Sequence, residues 1–332
     1  MYRFIIRPLL FLIDPEIVHD LLFGFLKLYA HLTPIRRMVQ WRYKTSSAAS
    51  IKGMTVKSRV GLAAGFDKGA EVFDALADFG FGLIEVGTVT PNPQGGNPKP
   101  RIFRLVKDQS LISRTGFNNP GVDEVSKRIG AYKNRRYLLG VNINSNPTST
   151  DLRVVDDFLL VFDKLYDLVD YFTINWGSID VSIFEKVAQA LAAHRSTKSC
   201  SKTIFIKIPA DLNVEILPSI VEIARENGFN GFIATGPTMD RSQLRRLSQA
   251  DSEKIGAGGL SGKGIGCRSI DMVKHLSLLV NDEFVIIGAG GIMNASDAAD
   301  MLANGADFVQ VYSAFIFSGP SVVKQMHGVM PL

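Results

Sequence analysis

FVIIGAGGIMNASDAADMLANGADFVQVYS, residues 284–313, holds one complete strand–helix–strand unit. The β-branched run 284–288 reads as a buried strand, the glycines after it as a turn, 295–303 as a helix and 308–312 as the next strand. The same alternation extends backwards, with β-rich runs at 60–64, 83–87, 138–143, 171–175, 204–208 and 231–235. Helical patterns at 70–79, 154–169 and 214–227 fall between them. Eight strand–helix units of this kind predict a closed (β/α)8 TIM barrel. The longest gap between strands, from about 90 to 137, carries Pro91, Pro93, Gly95, Gly96, Pro98 and Pro100. It predicts a long loop folded over the barrel mouth, where function concentrates. No second domain is expected beyond helices at the N-terminus.

Composition narrows the function classes. Of the 332 residues 46% are hydrophobic, enough for a large core. Two cysteines, Cys200 and Cys267, make no spaced framework and argue against a thiolate metal site. The five histidines include no His-x-x-x-His pair, so no metal is expected. The net charge of +5 is unevenly spread: residues 1–60 hold ten Lys/Arg against Asp14, Glu16 and Asp20, net +7, and the rest is net −2. A basic N-terminal segment points to an anionic membrane surface and not to nucleic acid, for which no groove-reading motif is present.

Asp14-Pro15-Glu16 is a helix start, with a capping acid and proline at the first helical position. Ile17, Val18, Leu21, Leu22, Phe25, Leu26, Leu28, Tyr29 and Leu32 then fill about half the helix circumference at ~100° per residue, with Phe23 intruding on the polar side. No stretch reaches the roughly 18 apolar residues of a spanning helix. Two readings stand: helices packed on the main domain, or an interfacial pair lying peripherally on the cytoplasmic side of the inner membrane. The second would give an enzyme access to a lipid-soluble substrate.

Barrel chemistry lies at the C-terminal strand ends. In order these give Ala63-Ala64-Gly65-Phe66-Asp67-Lys68, Gly87-Thr88, Asn142, Asn175, Lys207, Thr235, Gly288-Ala289-Gly290-Gly291 and Tyr312-Ser313. The glycine turn followed by Tyr312-Ser313 is suited to holding a phosphate on backbone N–H groups. A lysine beside a polar ring and a phosphate cradle suits flavin mononucleotide (FMN), whose reduced ring carries negative charge.

The stretches GLAAGFDKG, EVGTVTPNPQGGNPKPRIFRL, RTGFNNPGVD, LGVNI, FIKI, GFIATG, GGLSGKG, IIGAGGI and VQVYSAFIFSGP, with DPEIVH near the start, span nearly the whole chain. Together they resemble the membrane-associated, quinone-linked class of dihydroorotate dehydrogenase. The resemblance implies oxidation of dihydroorotate to orotate by hydride transfer to FMN, with reoxidation by quinone through the N-terminal helices. It divides the chain into a helical membrane and quinone-access segment, 1–50, and an FMN-binding barrel, 51–332. Flavin contacts are implied at Ala64, Lys68, Thr88, Asn142, Asn175, Lys207, Thr235, Gly262, Gly291, Tyr312 and Ser313. Quinone-side positions fall on His19, Arg104 and Tyr312. The implied substrate contacts are Lys68, Ser113, Phe117, Asn175, Asp180 and Gly236, and the implied catalytic base is Ser178.

The substrate side departs from the family pattern. Ser113 stands for an asparagine, Asp180 and Val181 for an asparagine and a threonine, and Gly236-Pro237 for Asn-Thr; NINSN replaces NIGKN, and Gly69 replaces an asparagine. Each lost hydrogen bond is worth about 0.5–1.5 kcal/mol, so three or four could weaken binding about a thousandfold. An ionised Asp180 facing the substrate carboxylate would add repulsion, while as a carboxylate it is a better base than serine. The departures leave two alternatives: an FMN oxidoreductase of this fold with another substrate, or a flavin-binding homologue without activity.

Overall fold

The structure is a computed structural model that describes residues 2–45, 48–150, 152–177 and 180–330. Helices α1 (Arg7–Phe11), α2 (Pro15–Ala30) and α3 (Thr33–Arg42) come first, then a hairpin of β1 (Ala49–Ile51) and β2 (Met54–Val56). The next elements are β3 (Val60–Leu62), α4 (Phe73–Ala77), β4 (Leu83–Val89), β5 (Ile102–Leu105), β6 (Ser110–Ser113), α5 (Val122–Gly130), β7 (Leu138–Ile143) and α6 (Leu152–Leu165). After them run β8 (Tyr171–Asn175), α7 (Val181–Ser196), β9 (Thr203–Ile208), α8 (Leu217–Glu226), β10 (Gly231–Ala234) and α9 (Arg246–Ile255). The chain closes with β11 (Gly259–Gly262), α10 (Gly266–Val280), β12 (Val285–Ala289), α11 (Ala295–Ala303), β13 (Phe308–Val311), α12 (Ser313–Ser318) and α13 (Ser321–His327).

Strands β3, β4, β7, β8, β9, β10, β12 and β13 form a closed parallel barrel in chain order, β13 returning to pair with β3. Both faces of each strand are buried, so alternate residues enter different cores. Leu83, Tyr171, Phe205, Val285 and Phe308 fill the barrel interior, and Met54 and Val56 of the hairpin pack on the same cluster. Their neighbours Ile84, Phe172 and Ile206 face the helices. Gly140 has no side chain because a Cβ there would lie 2.0 Å from the Tyr171 ring.

The gap between β4 and β7 differs from the expected loop. Residues of β5 and β6 form a hairpin, and β11, about 150 residues later, pairs antiparallel with β6 from Gly259↔Ser113 to Gly262↔Ser110. Leu105, Ile112, Leu244, Leu260 and Ile265 give this sheet a small core of its own. Helix α4 is also shorter than expected. Asp67 accepts hydrogen bonds from the Glu71 and Val72 backbone (2.8 and 2.7 Å), and Ala70 at φ +53° continues the turn.

At the N-terminus Asp14 caps α2 by accepting from the Glu16 and Ile17 N–H groups. The single apolar face expected there is two faces. Phe23, Leu26 and Tyr29 are buried against the barrel, whereas Ile17, Leu21, Phe25 and Leu28 are each more than half exposed. Phe23 sits on the packed side, so it is no intruder. No helix of the described residues is long and apolar enough to cross a membrane.

Candidate active site at the mouth of the barrel

A cavity of about 820 Å³ opens at the C-terminal ends of the strands. The structure brings Ala64, Lys68, Thr88, Asn142, Asn175, Lys207, Thr235, Gly262, Gly291, Tyr312 and Ser313 to its wall, along with Ser113, Phe117 and Gly236. Ile102, Leu111, Ser113, Gly259, Ser261 and Gly262 line it from the small sheet, so that sheet forms one side of the site.

Lys68 follows β3, and its ammonium donates to Asn118 Oδ1 at 2.9 Å and Thr115 Oγ1 at 3.2 Å. Burial pushes its pKa down to about 8; Arg101 adds to the fall and Glu16 opposes it. Deeper in, the apolar interior layer gives way to a polar one. Glu85, Thr173, Lys207 and Gln310 each stand two residues after an interior apolar residue of the same strand, so they point inward as well. Glu85 is fully buried; it accepts from Asn142 Nδ2 (3.1 Å), Thr173 Oγ1 (3.1 Å) and Gln310 Nε2 (2.9 Å). The Lys207 ammonium lies 3.9 Å from Glu85 Oε1 and has no hydrogen-bond partner among the described residues; the side chain as a whole is 12% exposed. Above them Thr88 Oγ1 donates to Asn142 Oδ1 at 2.6 Å and accepts from Asn175 Nδ2 at 3.2 Å.

The far end of the cavity is built of glycine. Gly290 and Gly291 take φ of +94° and +77°, and a Cβ on Gly291 would lie 2.2 Å from the Gly266 backbone at the start of α10. Gly262, at φ +93°, is as tightly placed: a Cβ would meet Gln109 O at 2.4 Å. Thr235 Oγ1 and Ser269 Oγ are 2.8 Å apart beside this turn, and Ser261 and Ser313 bring hydroxyls within 3.4 Å of each other. Close backbone approach with hydroxyls nearby fits an anionic, phosphate-like group.

A second cavity of about 370 Å³ lies between α2 and the mouth. Gly65, Lys68, Ile102, Thr115 and Tyr312 belong to both walls and form the partition. His19 lines it, stacked on Phe23 with Nε2 3.1 Å from Phe66 O. Burial pushes the Tyr312 hydroxyl up to about 12, which keeps it protonated. Arg104 is not on this wall. It donates to Ile13 O at 2.7 Å and lies over the Phe11 ring, which ties down the α1–α2 junction.

Ser178 lies outside the described residues. Asp180 is exposed and caps α7: Oδ1 accepts from Ser182 N at 2.8 Å and Ser182 Oγ at 2.6 Å, and these bonds hold its carboxyl below the usual range. Its carboxylate is engaged in the cap, and it is absent from the cavity wall among the described residues. Sequence reading missed Glu85, Gln310, Thr115, Asn118, Arg101 and Glu16. For the first two a signal existed, since a charged or amide residue at an interior parity position of an apolar strand demands a partner.

A protein-family model described as dihydroorotate dehydrogenase matches residues 46–331. The dihydroorotate dehydrogenase (quinone) of Christiangramia forsetii is 38% identical, over 98% of each chain. That of Yersinia pseudotuberculosis serotype O:1b is 37% identical, over 98% of this chain and 99% of the relative. Among solved structures, the Eimeria tenella DHODH in complex with ferulenol superimposes with a TM-score of 0.80 at 31% identity, covering 95% of this chain and 90% of the other. Its ligand-free form gives 0.79 at 32% identity, over 88% and 92%.

Proposed function

Because the chain belongs to the dihydroorotate dehydrogenase family, we propose that it is a quinone-linked flavin enzyme that oxidises dihydroorotate to orotate in pyrimidine biosynthesis. We assign FMN as the flavin. The observation that carries the assignment is the Lys207 ammonium, unpaired by hydrogen bonds among the described residues at the wall of a roughly 820 Å³ cavity, with a glycine-built anion cradle at its far end. The cavity falls in the usual range of about 300–1,000 Å³ for ligand sites. The donor set fits the group: Lys207 is placed for a ring that gains negative charge, and Gly262, Gly290, Gly291 and Ser313 for a phosphate. Bound there, FMN would supply the two-electron chemistry, accepting a hydride from the substrate and passing the electrons to quinone.

The protein's own groups do the rest. Lys68 is placed to pair with the substrate carboxylate, and its Thr115 and Asn118 contacts hold the ammonium at the partition between the two cavities. Asn175 donates to Thr88 through Nδ2, so its Oδ1 is the atom left to accept an N–H from a bound ring. Ser178 is assigned the carbon-bound proton. A serine hydroxyl is a weak base and needs a dry site with an onward path for the proton. Ser113, Phe117 and Gly236 complete the substrate wall, and Gly236-Pro237 contributes no side-chain donor.

We assign quinone to the smaller cavity beside His19 and Tyr312. The exposed Ile17, Leu21, Phe25 and Leu28, with the basic charge of the first 60 residues, support a peripheral membrane position for residues 1–50 on the cytoplasmic face of the inner membrane. The barrel would then be 51–332. The cofactor assignment is tested by denaturing the purified yellow protein and identifying the released flavin. FMN at one per chain is the expected result, and colourless protein that takes up no added FMN would refute it.

A further inference from the structure

We propose that Glu85 is a positioning residue that fixes the direction of the hydrogen-bond chain reaching the cavity and balances the charge of Lys207, and so sets the redox potential of the bound flavin. The proposal rests on the assignment of this cavity to FMN.

Glu85 is buried in the barrel interior, and three neutral donors and one ammonium converge on its carboxylate. An ionised carboxylate accepts only, so each neighbour must turn a donor toward it. Asn142 therefore gives Nδ2 to Glu85 and is left with Oδ1 for Thr88. Thr88 must donate its hydroxyl proton to that oxygen, so it can only accept from Asn175 Nδ2. The Asn175 oxygen is in consequence an acceptor at the cavity wall. A charge three hydrogen bonds away decides which atom the site offers.

Gln310 obeys the same direction at a cost. Its Nε2 serves Glu85, while Oε1 is buried with no partner among the described residues. A carboxylate in the interior is also unfavourable in itself, and Leu83 on the same strand and Phe205 and Phe308 on others show that apolar side chains fill inward positions here. Stability alone therefore does not account for a buried charge at this position. Lys207 supplies the reason: an ammonium at the cavity wall attracts electrons to a nearby flavin, and Glu85 at 3.9 Å offsets that attraction in a site of low dielectric.

The test is a set of three variants, Glu85→Gln, Lys207→Gln and the double replacement, each loaded with FMN and measured for midpoint potential and FMN affinity. Glu85→Gln is expected to raise the potential by holding reduced flavin at least tenfold more tightly relative to oxidised, about 30 mV for a two-electron couple. Lys207→Gln lowers it, and the double variant falls between. A Glu85→Gln protein that binds FMN at the wild-type potential overturns the proposal. If Glu85→Gln does not fold, the double variant must have a higher potential than Lys207→Gln; equal values overturn it. If Lys207→Gln cannot hold FMN, the double variant must bind FMN more tightly than Lys207→Gln does, and equal affinities overturn it. Wild-type protein that refuses FMN altogether refutes the cofactor assignment itself, and this proposal with it.

Discussion

Arg101 Nε donates to Glu16 Oε1 across 2.6 Å, and through that contact the first long helix of the chain is held against the barrel mouth. The guanidinium also donates to Gly95 O and Asn97 O, so one side chain joins α2 to the loop that leads into the small sheet. Lys99 approaches the same carboxylate at 3.4 Å. The side chains of Arg101 and Glu16 are only 12% and 10% exposed, so the pair is shielded from solvent and its loss leaves a buried charge unpaired.

Replacing Glu16 with glutamine should therefore loosen α2 from the barrel at a cost of about 3 kcal/mol. Hydrogen exchange of 15–30 should rise while the barrel strands stay protected. Equal protection in the variant would show that Phe23, Leu26 and Tyr29 hold the helix without the ion pair.

With Lys68 assigned to the substrate carboxylate, capture should depend on pH. Its pKa of about 8 lies below the usual lysine value, chiefly because burial disfavours the ammonium. The proposed carboxylate contact needs that ammonium, so kcat/KM for dihydroorotate should fall as pH rises through about 8. The sign for stability is opposite. The cost of the buried charge is full below about 8 and is relieved as pH rises toward the unfolded lysine value near 10.5. Lys68→Met should lower kcat/KM and abolish the falling limb; a limb that persists in the variant would assign it to another group.

Asp180 and Gly236 should respond differently to restoration of an amide. Asp180 is spent on the α7 cap, which asparagine serves equally well, so Asp180→Asn should leave KM for dihydroorotate within about twofold. At Gly236 a Cβ meets nothing closer than 3.8 Å, and Gly236→Asn adds a donor to the cavity wall. One hydrogen bond of about 0.5–1.5 kcal/mol should lower KM roughly 2- to 10-fold. The opposite ranking of the two variants would return Asp180 to the site.

Ser178→Ala should slow flavin reduction by dihydroorotate about a hundredfold or more if the hydroxyl receives the proton. An unchanged rate in stopped-flow absorbance would give that role to another acceptor.

Removal of residues 1–45 should impair quinone reduction by vesicle-bound enzyme more than flavin reduction by substrate, because the exposed apolar side chains of α2 leave with the segment. Equal losses in both half-reactions would contradict the membrane-access role.

The barrel was readable because parallel strands buried on both faces are short continuous apolar runs, and eight of them alternate with helical patterns. The β5–β6–β11 sheet was not readable. Its four-residue strands IFRL, SLIS and GLSG carry little periodicity, and β11 finds its partner about 150 residues away. On α2 the apolar residues form one arc, but no sequence rule separates the part that packs on the barrel from the part that faces out. Position alone placed Lys207 and Asn175 at strand ends, whereas Glu85 sits mid-strand in LIEVGTV and becomes visible only when inward parity is followed across four strands. Asp180 shows the limit of motif order, which puts it beside the substrate but does not reveal that its carboxylate caps α7.

Despite its altered substrate wall, the protein is expected to carry out the family's oxidation. The most direct measurement mixes the FMN-loaded protein anaerobically with dihydroorotate and follows the flavin absorbance. Bleaching within seconds, with orotate formed in equal amount, is the predicted result. Flavin that stays oxidised with dihydroorotate yet is reduced by dithionite would contradict this, and would mean that the barrel keeps its cofactor for another substrate or has lost the activity.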